Sequence, residues 1–442
     1  MLTRSPADTL KRGRLDPDAL IEPFDIPSGA NLIAAVSGGS DSLALLDLLH
    51  AASRKRNWRI HVATVDHGLR SESATEAQTV GERAAWLGLP HRVLRWEGPK
   101  PSTGIQAAAR AARYQLLKNH ADEIGSDFIL TGHTQDDQIE TVRMREVRGN
   151  GRGLAGMAPA TLLDGRVWLL RPLLETGRHD LRLWLNARQI DWIDDPSNSD
   201  PRFERVRVRK AQEYDKGHIL RLRAQAEKKR IALGIAAAQI VRNLAAQPSP
   251  GLLSLAAEAF AFGDAGLYAF RALIACAGGQ EHLPDPSRSD ALWRKLEAGP
   301  IRASLGGAVI ERRKAMIWLH RETRHIAGIA AHRDKVFDGR FRLKSSLPGT
   351  IVANGAAARP TSSRANELPP RLVSGAMAAQ PALRGESGRL VRLDEERFEP
   401  LVPPFARILL AFDTSLAQAL AGLFGARKFP SPPYAGRKDR LA

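Results

Sequence analysis

At 442 residues, with 43% hydrophobic and 26% charged side chains, the chain is long enough for about two to four domains and too apolar for wholesale disorder. Its 65 Lys and Arg against 48 Asp and Glu leave a net charge of +17, which points to a polyanion, either nucleic acid or an anionic membrane surface. The single cysteine, Cys276, excludes an internal disulfide, a Cys-x-x-Cys redox pair and a multi-cysteine zinc site, and fits a reducing compartment.

In chain order, Asn31 to Val36 is an apolar run that stops at a Gly/Ser cluster and predicts a buried strand. Leu45, Leu48, Leu49 and Ala52 recur at helical spacing and predict a helix from about Ser42 to Arg56. Strands follow at Ile60 to Val65, His91 to Trp96 and Phe128 to Thr131, alternating with helices at Glu72 to Gly88, Ile105 to Ile124 and about Asp136 to Val147. That alternation implies an α/β fold, a Rossmann-like doubly wound parallel sheet with ligands at the carboxyl ends of its strands. The loop 37–42, Asp66 and the segment 132–140 all fall on that edge.

After Gly149 the pattern changes to a short strand at Val167 to Leu170 and a helix at Arg178 to Arg188. One or two basic helices are predicted over Arg202 to Gly234, helix over Gly251 to Cys276, a small hairpin module over 301–320 and a final helix over Ala406 to Phe424. Residues from about 346 to 390 are rich in Ala, Ser, Pro, Gly and Arg and read as a flexible or poorly packed linker. The expected domains are therefore a catalytic unit over 1–210, a mainly helical, tRNA-contacting one with a small hairpin module over 211–330, and over 331–442 a low-complexity linker with a small C-terminal α+β region whose fold the sequence leaves open. Charged or polar residues interrupt the two apolar stretches singled out, Ile231 to Ala245 and Phe405 to Ala426, before the roughly 18 residues a span needs. Met1 to Pro6 lacks the apolar core of a signal peptide, so the expected location is the cytoplasm, with no membrane partner.

Ser37-Gly38-Gly39-Ser40-Asp41-Ser42, between strand and helix, has the composition of a phosphate cradle. Its glycines allow close backbone approach, and the helix amides favour an anion. No Gly-Lys-Ser/Thr follows, so it is not a Walker A loop, and Asp41 supplies a reason for a metal to neutralise the phosphates. A tight turn capped by Ser and Asp is the bland alternative. Gly151 to Gly156 matches G-x-G-x-x-G but follows a charged helical stretch instead of a strand, so it carries no dinucleotide reading. Gly132 to Thr141 gathers His133, Asp136, Asp137 and Glu140, with Asp137 and Glu140 on one helical face. With Asp41 they could hold Mg2+ on nucleotide phosphates. Helix-start acids favoured by the dipole are the alternative.

The 37–42 loop is similar to the signature of the PP-loop ATP pyrophosphatases. Asp66 to Arg70, Ala109 to Tyr114, Gly132 to Thr141, Arg148 to Gly151 with Gly153 to Met157, Arg171 to Leu174 and Asp195 to Asn198 continue, in order, the pattern of the tRNA(Ile)-lysidine synthetases. The resemblance is good over 31–210, weaker over 211–322 and nearly absent beyond. It implies ATP-dependent ligation of L-lysine to carbon 2 of the wobble cytidine of tRNA(Ile) with a CAU anticodon. Ser37, Gly38, Gly39, Ser40, Asp41 and Ser42 would bind ATP, Asp41 and Asp137 would contact Mg2+, and Arg113 would neutralise phosphate charge. His133 and Glu140 would lie near the base or the lysine amine. Asp66-His67 reads equally as a turn cap, and Arg113 as a surface residue. Departures include Arg143 at a usually apolar position and Arg205-Val206-Arg207 in place of an Arg-Asn pair.

The basic clusters Arg143, Arg145, Arg148, Arg152; Arg202, Arg205, Arg207, Arg209, Lys210; and Arg221, Arg223, Lys228, Lys229, Arg230 are expected to track a phosphate backbone. Arg145, Arg148, Arg152, Arg205, Arg207 and Arg209 are the candidate tRNA contacts. Rival readings are another PP-loop enzyme, either an amide-forming ligase or a tRNA thiolase, and a non-catalytic tRNA-binding protein. The lone Cys276 argues against thiolation, and the acids at 41, 137 and 140 against a non-catalytic role. The sequence leaves the oligomeric state open.

Overall fold

In the computed structural model, residues 15–69, 73–147, 149, 151–194, 206–208, 215–355 and 368–434 are described. Leu32, Ile33 and Ala34 are fully buried in β1 (Asn31–Ala35), as the uninterrupted apolar run requires of a strand covered on both faces. The chain then alternates through α1 (Ser40–Ser53), β2 (Arg59–Asp66), α2 (Ser73–Trp86), β3 (His91–Arg95), α3 (Ile105–Ile124), β4 (Phe128–Thr131) and α4 (Gln135–Val147). β1 pairs in parallel with β2 on one side and β4 on the other, and β2 pairs in parallel with β3. The strand order therefore reverses between β1 and β4, and the crevice at such a switch point is where open α/β sheets bind ligands. Leu117 and Ala121 of α3 close one face of the sheet against Ile33, Ala63 and Ile129.

The sheet continues beyond β4 through β6 (Val167–Leu170), which is parallel to it, and β5 (Ala160–Leu163), which is antiparallel to β6. β5 was not expected. Its signal is Asp164-Gly165, where both residues have positive φ and Arg166 N donates to Leu163 O, the geometry of a tight hairpin turn. α5 (Arg178–Asn186) follows. It is fixed against α1 and α2 by Asp47, whose carboxylate accepts from Trp184 Nε1 at 2.9 Å and pairs with Arg83 at 3.0 Å and Arg188 at 3.2 Å.

Two compact units divide between Lys228 and Lys229, within α6 (Lys216–Leu244), and the described residues 431–434 belong with the first. The boundaries expected at 210 and 330 do not coincide with this division. The second unit opens with a five-stranded antiparallel sheet, in the order β7-β8-β11-β10-β9, built from β7 (Ala245–Ser249), β8 (Leu252–Ala256), β9 (Arg302–Leu305), β10 (Ala308–Arg313) and β11 (Met316–Arg321). The helix expected over Gly251 to Cys276 is thus corrected at its start: Leu252–Ala256 is a buried strand paired with β11, a 3-10 helix follows at Ala257–Phe262, and α7 (Gly263–Gly278) continues it. Pairing with β11 overrides the helical propensity of its leucines. Gly306 and Gly307, both at positive φ, turn β9 into β10, so the hairpin expected over 301–320 is part of this larger sheet.

The linker expected over 346–390 is also corrected. Its described part contains strands Thr350–Ala353 and Pro381–Arg384, paired antiparallel, and the helix Pro370–Ala378, whose Leu372, Val373, Ala376 and Met377 are buried. Composition misled because the small residues Gly375 and Ala376 of the described part pack against His320 and Leu252 of the sheet, where close packing needs them. The helix expected over Ala406 to Phe424 is broken into a strand, Ile408–Leu410, a 3-10 turn and a helix, Thr414–Phe424. Ala257–Gly278, expected from the sequence as helix and not as a span, is long and apolar enough to cross a membrane by length and composition, but 61% of its apolar 18-residue window is buried inside the second unit.

Candidate active site

β1 ends at Ala35, and the chain turns through Ser37–Ser42 into α1. Gly38 sits at φ +87°, a conformation other residues adopt at a cost, and a Cβ there would stand 3.1 Å from Ile193 Cδ1. Its carbonyl accepts from Ile193 N at 3.0 Å, so the strand-end loop is covered by the segment before Asp194. Ser42 holds the turn closed: its Oγ accepts from Ser37 N at 3.1 Å and donates to Gly39 O at 2.9 Å. Gly39 provides no side-chain cap, which leaves the first-turn amides of α1 to an anion.

The second polar loop packs directly on the first. A Cβ on Gly132 would lie 2.8 Å from Asp41 O and 3.0 Å from Ser42 Cα, so the ends of β4 and the start of α1 approach as closely as backbones can. Thr134 opens α4 with a capping box: Asp137 Oδ2 accepts from Thr134 N at 2.9 Å and from Thr134 Oγ1 at 3.1 Å. One oxygen of Asp137 is therefore taken up by the helix cap. The other, Oδ1, faces Arg178 Nη2 at 3.4 Å. Arg178 Nε donates to Asp41 Oδ2 at 2.8 Å, and Arg178 N donates to Asp136 Oδ2 at 2.7 Å. One arginine thus gathers all three aspartates. His133 hydrogen-bonds Thr131 Oγ1 through Nδ1 at 2.9 Å, and Glu140 is buried one turn along α4 from Asp136 and Asp137.

Electrostatics follow this geometry. Burial raises the Asp41 carboxyl above its ordinary pKa, Arg178 opposes that, and the charge of Asp137 adds to it. Burial works against the charge on Arg178 as well, but Asp41, Asp137 and Glu140 outweigh it and hold its pKa above the usual guanidinium value. The pocket is built to carry concentrated negative charge beside a cation. Two converging carboxylates suit Mg2+, which binds through one or two carboxylates plus substrate phosphates and keeps several waters.

Comparison with known proteins agrees with this arrangement. A PP-loop domain family model matches residues 18–212. A tRNA(Ile)-lysidine synthase of Mesorhizobium japonicum is 44% identical over 441 residues, covering 94% of this chain and 97% of its own length. The chain belongs to the tRNA(Ile)-lysidine synthase family. Synthases of Rhizobium meliloti, 38% identical over 91% of this chain and 93% of the relative, and Brucella melitensis, 41% identical over 74% of this chain and 77% of the relative, are similar to it as well.

The remaining motifs shared with the tRNA(Ile)-lysidine synthase family divide between site and scaffold. Gly68 N donates to Asp66 Oδ1 at 2.8 Å, so Asp66 does cap its turn. Arg113 is exposed on α3 but reaches His67 Nε2 with Nη2 at 3.2 Å, which brings it to the carboxyl edge of β2. Burial, then the charge of Arg113, lowers the His67 pKa to about 4, so the ring is neutral and accepts that hydrogen bond. Gln138 pins the Gly153–Met157 segment to α4, donating to Met157 O at 2.8 Å and accepting from Met157 N at 2.7 Å. The G-x-G-x-x-G match is therefore a 3-10 turn, Arg152–Ala155, held on a helix. Arg171 is buried and donates to Ala158 O and Thr161 Oγ1, a scaffold role.

Of the candidate tRNA contacts, Arg145 and Arg207 are exposed and Arg152 is half-buried, whereas Arg148, Arg205 and Arg209 lie outside the described residues, as do Arg70 and Asp195 to Asn198. Arg143, at its unusual position, donates to Val208 O at 2.8 Å and so secures segment 206–208. The third basic cluster is partly structural: Arg223 is buried and pairs with Glu175 at 2.7 Å, Arg230 pairs with Asp413, and only Lys228, Lys229 and Arg221 are exposed. Sequence reasoning missed Arg178 and Arg182. They lie four residues apart on one face of α5, and Arg182 reaches Asp194 at 2.7 Å and Ser40 Oγ at 3.4 Å.

Proposed function

We propose that this chain is an ATP-dependent ligase that joins L-lysine to carbon 2 of the wobble cytidine of tRNA(Ile) with a CAU anticodon, releasing AMP and pyrophosphate. The observation that carries this reading is the convergence of Asp41 and Asp137, from the ends of β1 and β4, beside a loop that offers helix amides to an anion, in a chain of this family. The loop 37–42 holds the ATP phosphates, and Asp41 and Asp137 hold Mg2+. When bound, the metal offsets the phosphate charge that the loop, lacking a lysine, leaves unneutralised. Arg113 stabilises charge that builds as the bond between the α-phosphorus and its leaving oxygen breaks.

In the first step the oxygen on carbon 2 of cytidine attacks the α-phosphorus, and pyrophosphate departs with the electron pair. In the second the lysine ε-amine attacks carbon 2, and the bond from that carbon to the AMP oxygen breaks. Glu140 accepts the ammonium proton released by the attacking amine, and His133, held by Thr131, orients the base. Exposed Arg145, Arg207, Lys228 and Lys229 contribute phosphate contacts whose number sets the salt dependence of tRNA binding. Sulfur transfer is the weaker alternative, because the only thiol, Cys276, is buried in α7 and burial pushes its pKa far up. The deciding assay incubates the protein with ATP, Mg2+, labelled lysine and tRNA(Ile) bearing CAU. Label appears in RNA, and bound tRNA without label would refute the ligase reading.

A further inference from the structure

We infer that Arg178 is a placeholder cation: its guanidinium fills the gap between the Asp41 and Asp137 carboxylates while no nucleotide is bound, and leaves it toward the phosphates when ATP and a divalent cation arrive together. This rests on the reading of Asp41 and Asp137 as the metal-holding pair. The oxygens available to a metal are accounted for individually. Asp41 Oδ2 accepts from Arg178 Nε at 2.8 Å, and Asp41 Oδ1 lies 3.2 Å from Ser40 Oγ. Asp137 Oδ2 is taken up by the Thr134 cap, and Asp137 Oδ1 faces Arg178 Nη2 at 3.4 Å. A divalent cation held by these two residues would compete with the guanidinium for the same carboxylates.

The backbone around Arg178 is held firmly, while among the described residues its side chain hydrogen-bonds those two carboxylates. Its amide is bound to Asp136 Oδ2 at 2.7 Å, and α5 is anchored by Trp184 on Asp47 and by Arg182 on Asp194. The side chain can therefore exchange partners without moving the helix. Two consequences follow. The nucleotide-free site keeps its two acids apart from free metal, and the arriving phosphates provide the anion that draws Arg178 away, so metal and nucleotide binding are coupled.

The test uses full-length protein without nucleotide, tRNA or lysine, and reads Mn2+ binding by electron paramagnetic resonance. Arg178→Gln binds Mn2+ about tenfold more tightly than the wild type, the scale of removing one cation within a few ångströms of the site. Arg178→Lys, which keeps the charge, stays near the wild type. Pyrophosphate release falls in Arg178→Gln, so the two readouts move in opposite directions, whereas a purely structural role would lower both. Unchanged or weaker Mn2+ binding by a folded Arg178→Gln variant overturns the inference. If that variant does not fold, phenylglyoxal labelling of Arg178 in the wild type decides. Saturating Mn2+ increases the labelling read by peptide mass, and no increase overturns the inference. Absence of lysine incorporation alongside the expected Mn2+ result would refute the ligase reading and leave the placeholder standing.

Discussion

Gly132→Ala tests whether the two polar loops depend on direct backbone contact. The new Cβ would stand 2.8 Å from Asp41 O, 2.9 Å from Asp41 C and 3.0 Å from Ser42 Cα, against an ordinary contact of 3.4 Å or more. All three atoms are backbone, so no side chain can swing away, and the β4–α4 turn must separate from the start of α1 by about 0.6 Å. Overpacking of this kind costs about 1–3 kcal/mol. The same displacement spreads Asp41 from Asp137, and an error approaching 1 Å at a reacting centre costs roughly a hundredfold in rate. We expect pyrophosphate release with tRNA, lysine and ATP to fall roughly ten- to a hundredfold, and urea unfolding to report the stability loss. Gly39→Ala is the control: its nearest atoms are 3.8 and 3.9 Å away and its φ is −74°, so stability stays within about 0.5 kcal/mol. A Gly132→Ala protein with wild-type stability and turnover within twofold of normal would refute the reasoning.

Asp41→Ala should abolish measurable pyrophosphate release, a loss of at least about a thousandfold, while filter binding shows tRNA affinity nearly intact; surviving turnover would remove Asp41 from the metal pair. Asp47→Ala leaves Trp184 Nε1, Arg83 and Arg188 without their shared acceptor and should cost about 2–4 kcal/mol in urea unfolding; a loss under about 0.5 kcal/mol would show that α5 is held by other contacts. His67 titrates near 4 in the folded protein against 6.5 unfolded, so between those values the unfolded chain binds more protons. Its contribution to stability is full above pH 6.5 and is lost as pH falls toward 4; the ring is half-exposed, so screening limits this to about 1 kcal/mol. His67→Gln should flatten that part of the stability–pH curve, and an unchanged slope relative to wild type would exclude His67 as its source.

The fold was most legible where local pattern and tertiary environment agree. β1 and β4 carry short apolar runs, Leu32 to Ala35 and Phe128 to Leu130, because helices cover both faces of a parallel sheet, and β2 keeps the same signal in Ile60, Val62 and Ala63, its buried apolar residues. Legibility failed where pairing overrode propensity. Leu252-Leu253-Ser254-Leu255 carries good helix formers, yet β11 supplies a hydrogen-bonded neighbour and a place to bury all four. The segment around Pro370–Ala378 failed for a different reason: its small residues resemble a linker in composition and differ from one only in being packed.

The site shows the same division between local and distant information. Asp41, Asp137 and Glu140 were visible because each lies in the loop or the first turns of the helix that directly follows a strand, where the chain itself places them on the binding edge. Arg178 was not, because nothing near it in sequence marks it as part of that edge. It joins Asp41 across 137 positions and Asp137 across 41, through a helix positioned by Asp47. The one local signal is the spacing of Arg178 and Arg182 after Gly177, two cations on one face of the first turns of a helix. Helix dipoles disfavour cations at that end, so such a pair is worth its cost only with anionic partners in front of it. Asp41 and Asp137 are those partners for Arg178, and Asp194 is the partner for Arg182. Cations placed against the dipole of a helix that opens beside a phosphate-type loop are therefore a readable sign that the helix completes the loop's site.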